Sequence, residues 1–140
     1  MNESPIVLIE SPYRNGDRDR NLRYLAWCEY HSASLGETPI ASHGNCTAYW
    51  LEDEEHRAKG FAWRDRMRSV CTFVAYYTDL GISPGAKDAM ERDTATGFRC
   101  IERQLPEYLR REFDAGCYPP GTMMRISRDP PCKEENHEAT

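Results

Sequence analysis

The segment Val70-Cys71-Thr72-Phe73-Val74-Ala75-Tyr76-Tyr77 constrains the fold more than any other part of the chain. It is near-continuously apolar and has no alternating polar row. A strand of this kind is covered on both faces, as in a parallel sheet packed between helices. The next residues fit a crossover. Thr78 to Gly85 forms a loop, Ser83 stands where a helix N-cap belongs, and Pro84 falls at the first helical position, where its missing N–H costs nothing. The helix is predicted to run to Thr96 and to stop at Gly97.

The same alternation appears on either side. Ile6 to Ile9 is a short β-branched strand that ends at Glu10-Ser11-Pro12 and enters a loop through Asp17. From Asp17, the apolar residues Leu22, Leu25, Cys28 and Leu35, widened by Ala26, mark a helix of about five turns closed by Gly36. Thr38 to Ala41 reads as a second strand, running into the polar loop Ser42 to Asn45. Glu54 to Ser69 is a less regular helix carrying Phe61 and Met67, Phe98 to Glu102 a fourth strand, and Leu105 to Phe113 a short helix. Tyr118 to Gly121 is a turn. Strands and helices alternating three times predict an α/β fold: a Rossmann-like, three-layer α/β/α domain with a four- to five-stranded, mostly parallel sheet and right-handed crossovers.

At 140 residues the chain suits one domain, assigned to residues 1–128, with the Pro- and charge-rich residues 129–140 read as a disordered tail. Ile6 to Ile9 is far shorter than the roughly 20 apolar residues of a membrane span, and no basic region precedes it. The expectation is a cytoplasmic protein without a membrane partner. A net charge of -5 argues against a DNA or RNA partner, because phosphate-backbone binders carry a basic stripe. The six cysteines lie 15 to 29 residues apart with no C-x-x-C pair, so they read as reduced thiols, several of them in the core. His31, His56 and His137 show no metal-ligand spacing, and no metal or cofactor is expected.

In a parallel sheet, ligands bind beyond the carboxyl ends of the strands. The loops Ser11–Asn21, Ser42–Asn45 and Thr78–Gly85 should gather there, and two of them lead into helix N-termini that attract phosphate or carboxylate. Ser11, Tyr13 and Ser83 supply hydroxyls, with Arg14 or Arg18 nearby, which suits a small anionic, phosphorylated ligand. Each candidate has a plainer alternative. Tyr13 contacts ligand or packs as a loop aromatic. His43 shuttles a proton or holds phosphate, or it is a loop histidine bonded to backbone. Asp79 meets the ligand or caps the next helix. Glu55 and Arg57 lie at i, i+2 and do not face each other, so they read as structural. The arginines at 14, 18, 20 and 23 alternate with Asp17 and Asp19 and read as a solvated face. Trp50 is a candidate for stacking on a ligand ring, and the remaining tryptophans with Tyr76 and Tyr77 read as core or subunit interface.

Ser11-Pro12-Tyr13 after the first strand, Asn21 on the following helix, Pro39-Ile40-Ala41-Ser42-His43, Glu55-x-Arg57-x-x-Gly60 and Thr78-Asp79-Leu80-Gly81-Ile82-Ser83-x-Gly85 occur in an order that resembles the nucleoside 2-deoxyribosyltransferase-like proteins. Within them, the chain is most similar to a small phage-associated branch carried as a domain of unknown function. The resemblance runs from about Ile6 to Glu102. It implies a protein that binds a nucleoside or nucleotide, often as a homo-oligomer whose neighbouring subunit helps close the site. The implied ligand-binding residues are Ser11, Tyr13, Arg14, Asn21, His43, Asp79, Ser83 and Gly85.

Active members cleave an N-glycosidic bond through a carboxylate that traps or stabilises an oxocarbenium-like transition state. Their Glu lies four residues beyond the Gly that matches Gly85, and this chain has Ala89 there. Asp88 and Glu91 flank the position, but a helix turns about 100° per residue, so Asp88 points elsewhere. The catalytic candidates are therefore Asp79, as the best remaining carboxylate, and Asp88. The expectation is a nucleoside- or nucleotide-binding protein that cleaves or transfers at the N-glycosidic bond, or that has lost catalysis. A rival expectation is a non-enzymatic phage protein in the host cytoplasm that sequesters a nucleotide immune signal of ADP-ribose or cyclic type. A third is an interaction protein with a vestigial pocket.

Overall fold

The computed structural model describes residues 3–12, 17–42 and 54–122. In chain order the elements are β1 (Ile6–Glu10), α1 (Arg18–Ser34), β2 (Thr38–Ile40), α2 (Glu54–Val70), β3 (Phe73–Tyr77), α3 (Pro84–Ala95), β4 (Cys100–Arg103) and α4 (Glu107–Asp114). Local chemistry sets the helix ends. The Asp17 carboxylate accepts from Asp19 N at 3.0 Å and Arg20 N at 3.2 Å to start α1, and Ser83 Oγ accepts from Ala86 N at 3.1 Å to start α3. Gly97, at φ +80°, ends α3 with Gly97 N bonded to Thr94 O and Phe98 N to Asp93 O. That paired pattern is the Schellman motif, which glycine favours because it needs a left-handed residue.

The four strands are all parallel, in the order β2-β1-β3-β4. Leu8 lies beside Val74, and Ala75 beside Ile101. Alternate strand residues divide between two cores, as a pleated strand requires. Val7, Ile9, Phe73, Ala75 and Tyr77 pack with Tyr24, Leu25, Trp27 and Cys28 of α1 and with Leu109 and Phe113 of α4. Leu8, Val74 and Tyr76 face the other way, toward Met67 of α2 and Ala86 and Met90 of α3. The result is the expected three-layer α/β/α arrangement around a parallel sheet.

Several boundaries differ from the sequence expectation, two of them by two residues or more at a strand start. Val70, assigned to the central strand, is the last residue of α2 and is exposed, and the strand starts at Phe73. The fourth strand starts at Cys100 rather than Phe98, because Phe98 is spent on capping α3. The weak periodicity of α2 has a structural counterpart: none of its 17 residues is fully buried. Cys28, Cys71, Cys100 and Cys117 are free thiols among the described residues. No helix of the described residues is long and apolar enough to cross a membrane.

Candidate functional site

The strand order reverses direction at β1: the chain steps from β1 out to β2 and then returns across to β3. At such a switch point the loops after the two central strands run apart and leave a crevice at the strands' carboxyl ends. A shallow cleft of about 240 Å³, including solvent space at its open mouth, lies there. Glu10, Ser11 and Pro12 line it from the end of β1, and Tyr76 to Thr78 from the end of β3. Gly81, Ile82, Ser83 and Ala86 close the side nearest the start of α3. Gly81 holds φ +94° in the turn from Thr78, a conformation that side chains with a Cβ resist. Ser83 Oγ spends an acceptor site on the α3 cap and keeps its proton for another partner. Ser11 Oγ is buried and has no hydrogen-bond partner among the described residues.

A charged network between β1, β3, α2 and α3 adjoins the cleft and shares Glu10 and Tyr76 with it. Arg64 Nε donates to Glu10 Oε2, and Arg64 Nη2 donates to Tyr76 Oη at 3.2 Å and lies 3.5 Å from Asp93 Oδ2. Arg68 Nη1 pairs with Asp93 Oδ1, and Tyr76 Oη donates to Asp93 Oδ2 at 3.1 Å. The Asp93 side chain is 2% exposed, and those of Glu10 and Arg64 are 12% exposed. Two acids and two bases thus neutralise one another, three of them largely out of water and Arg68 at the edge with 32% of its side chain exposed. Burial works against the Arg64 charge, but the Glu10 carboxylate outweighs it and holds the guanidinium above its ordinary range. Burial also raises the Tyr76 phenol above its usual value, so it stays a hydrogen-bond donor.

The residues singled out from the sequence divide into groups. Ser11 and Ser83 line the cleft. Gly85 lies in the first turn of α3, exposed, with open space where a Cβ would stand. Asn21 is buried in the first turn of α1, outside the cleft lining. Tyr13, Arg14, His43 and Trp50 lie outside the described residues, as does the tail from residue 129.

Asp79 directly follows the β3–loop junction, but its side chain is turned toward α1 and α4 and is 5% exposed. It accepts from Tyr24 Oη at 2.6 Å and from Leu105 N at 3.0 Å, with Arg110 Nη1 at 3.5 Å. The Asp79 N–H donates back to Tyr24 Oη at 2.9 Å. The alternative role of capping the next helix belongs to Ser83 instead. Asp88 is exposed on α3, two residues and so about 200° around from cleft-lining Ala86. Neither Asp79 nor Asp88 lines the cleft.

Among the described residues, the acidic residue that does line it is Glu10, at the end of β1. Its spacing was informative: Glu10 has the parity of Leu8, so it belongs to the α2 and α3 face. Arg64 and Arg68, at i, i+4 on α2, were a second clue, since they share one helical face. The burial of Asp93 left no mark in the local sequence.

Comparison with known proteins agrees with this architecture. The chain is similar in structure to a 2-deoxyribosyltransferase from the psychrotolerant bacterium Bacillus psychrosaccharolyticus, at 15% sequence identity and a TM-score of 0.57, over 71% of this chain and 72% of that chain. At that identity the likeness shows the fold. No match is found among curated proteins. A family profile matches residues 5–103, most of the chain and all four strands, and by that match the protein belongs to the family described as Domain of unknown function (DUF7768).

Proposed function

We propose that this protein binds a nucleoside or nucleotide in the cleft between the ends of β1 and β3, and that it holds the ligand without turning it over by the carboxylate route of the deoxyribosyltransferases. The observation that carries the reading is the buried Ser11 Oγ, unpartnered among the described residues, in a cleft at the switch point of a deoxyribosyltransferase-like fold. An unmet buried hydroxyl costs about 1 to 3 kcal/mol, which a ligand or water bonded to it would recover. Ser83 and the start of α3 add a donor and a partial positive charge on the opposite wall, suited to an anionic group.

Ala89 stands where the resemblance implies the catalytic Glu, and the Asp79 carboxylate is spent on Tyr24, Leu105 and Arg110. In this reading Asp79 holds the β3–α3 loop in position and does not touch ligand. Retention without turnover also accommodates the sequestering of a nucleotide.

The test is direct. Purified protein is mixed with a panel of nucleosides, nucleotides and cyclic ADP-ribose isomers, filtered free of unbound compound, heated, and analysed by mass spectrometry. An intact compound released in stoichiometric amount is the expected result. Free base accumulating beyond one equivalent would show an N-glycosidase, and retention of no compound would remove the binding proposal.

A further inference from the structure

We propose that Glu10 selects the sugar of the bound ligand, accepting hydrogen bonds from ribose hydroxyls, so that the cleft takes ribonucleosides or ribonucleotides in preference to their deoxy forms. The inference rests on the nucleoside-binding reading above and adds the ligand class to it. Glu10 is one of the residues lining the cleft, with 12% of its side chain exposed, and Arg64 engages its Oε2 atom through Nε. A carboxylate is acceptor-only, so any ligand that covers it must return hydrogen-bond donors or leave it desolvated. Ser11 follows at once, with a buried hydroxyl that has no partner among the described residues and can donate or accept. A strict acceptor beside a two-way hydroxyl matches two neighbouring hydroxyls of one sugar.

Arg64 is the reason that this carboxylate suits binding rather than attack. The guanidinium is shared among Glu10, Tyr76 and Asp93, which fixes the carboxylate in place and takes up part of its charge. A carboxylate held in this way is a preorganised acceptor and a poor nucleophile.

The experiment titrates adenosine, guanosine, cytidine and uridine, each with its 2′-deoxy and 2′,3′-dideoxy forms, into wild type and Glu10→Gln by calorimetry. For the base that binds, wild type is expected to favour the ribose form over the dideoxy form by roughly tenfold or more, the usual effect of a hydrogen bond to a charged group. Glu10→Gln retains an oxygen for Arg64, and it should bring that preference to within about threefold, as the hydrogen bond becomes a neutral one. General damage to the fold would weaken all three forms alike and leave the ratio unchanged. The double variant Glu10→Gln, Arg64→Met removes both charges, so no unpaired one is left buried, and it should show the same collapse. Equal affinity of wild type for the three forms overturns the proposal, as does a folded variant of either kind that keeps the preference. Binding of none of these nucleosides or of their 5′-phosphates removes the nucleoside-binding reading as well.

Discussion

Asp79 shows how a residue can look functional in sequence and be occupied in the fold. It sits in the right loop of a ligand-binding topology, yet its carboxylate is bonded to one hydroxyl and one backbone N–H and lies beside one guanidinium. Tyr24 is the centre of that contact, because one hydroxyl both donates to Asp79 Oδ2 and accepts from Asp79 N. Burial first, with Cys28 and Asp79 adding to it, raises the Tyr24 phenol far above its ordinary value, so the proton stays on the ring oxygen. Tyr24→Phe removes both bonds and leaves a buried N–H unpaired, at a cost of about 2 kcal/mol. Asp79→Asn is expected to destabilise to a similar degree. Both should appear in urea unfolding as a lower midpoint with an unchanged slope. Ligand affinity of the folded fraction should stay within about twofold of wild type, since one bond to a charged group would account for far more. A large affinity loss in Asp79→Asn at unchanged stability would instead make Asp79 a ligand contact.

At the level of elements, two polar networks tie the layers together on opposite faces of the sheet. The Glu10–Arg64–Asp93–Arg68 group locks α2 and α3 to the strand ends, which explains how a helix with no fully buried residue stays in place. On the other face, Arg103 of β4 reaches Glu37 with bonds of 2.8 and 2.5 Å and donates to Tyr77 Oη at 3.3 Å. Tyr77 Oη also lies 2.8 Å from His31 Nδ1, in a hydrogen bond whose direction follows the imidazole tautomer. Burial, and then the Arg103 charge, lower the His31 pKa from its ordinary 6.5. The unfolded chain therefore takes up this proton first, and stability falls as pH drops below about 6.5. Burial opposes ionisation of Glu37, but its bonds from Arg103 and Ser32 prevail and lower its pKa. Its contribution is present above about 4.5 and disappears as pH falls through the folded value. Chemical denaturation from pH 7.5 to 3.5 should show both losses in turn. His31→Gln should flatten the first and retain the second, whereas an unaltered profile would exclude His31 as the cause of the first.

On the scale of the whole molecule, the cleft follows from topology: a β2-β1-β3-β4 order opens a crevice only between β1 and β3. Ala89 is partly buried, one turn beyond the cleft-lining Ala86 on the same face of α3. Helical side chains lean toward the N-terminus, so a longer side chain at 89 would extend along α3 toward the cleft. Ala89→Glu is accordingly expected to release free base from a bound 2′-deoxynucleoside, followed by chromatography, where wild type releases none. Continued absence of base release from a folded, ligand-binding variant would mean that the cleft does not present the anomeric carbon to α3.

The sequence by itself determined the α/β alternation, the parallel sheet, the N-cap at Ser83 and the hydroxyls at Ser11 and Ser83, because these depend on hydrophobic period and on turn chemistry within a few residues. Only the tertiary structure decided that Asp79 faces α1 and α4, that Asp93 is buried between two arginines, and that Glu10 lines the cleft. Those assignments join residues 17 to 55 positions apart, and a side chain's partners across such distances follow from how the layers pack.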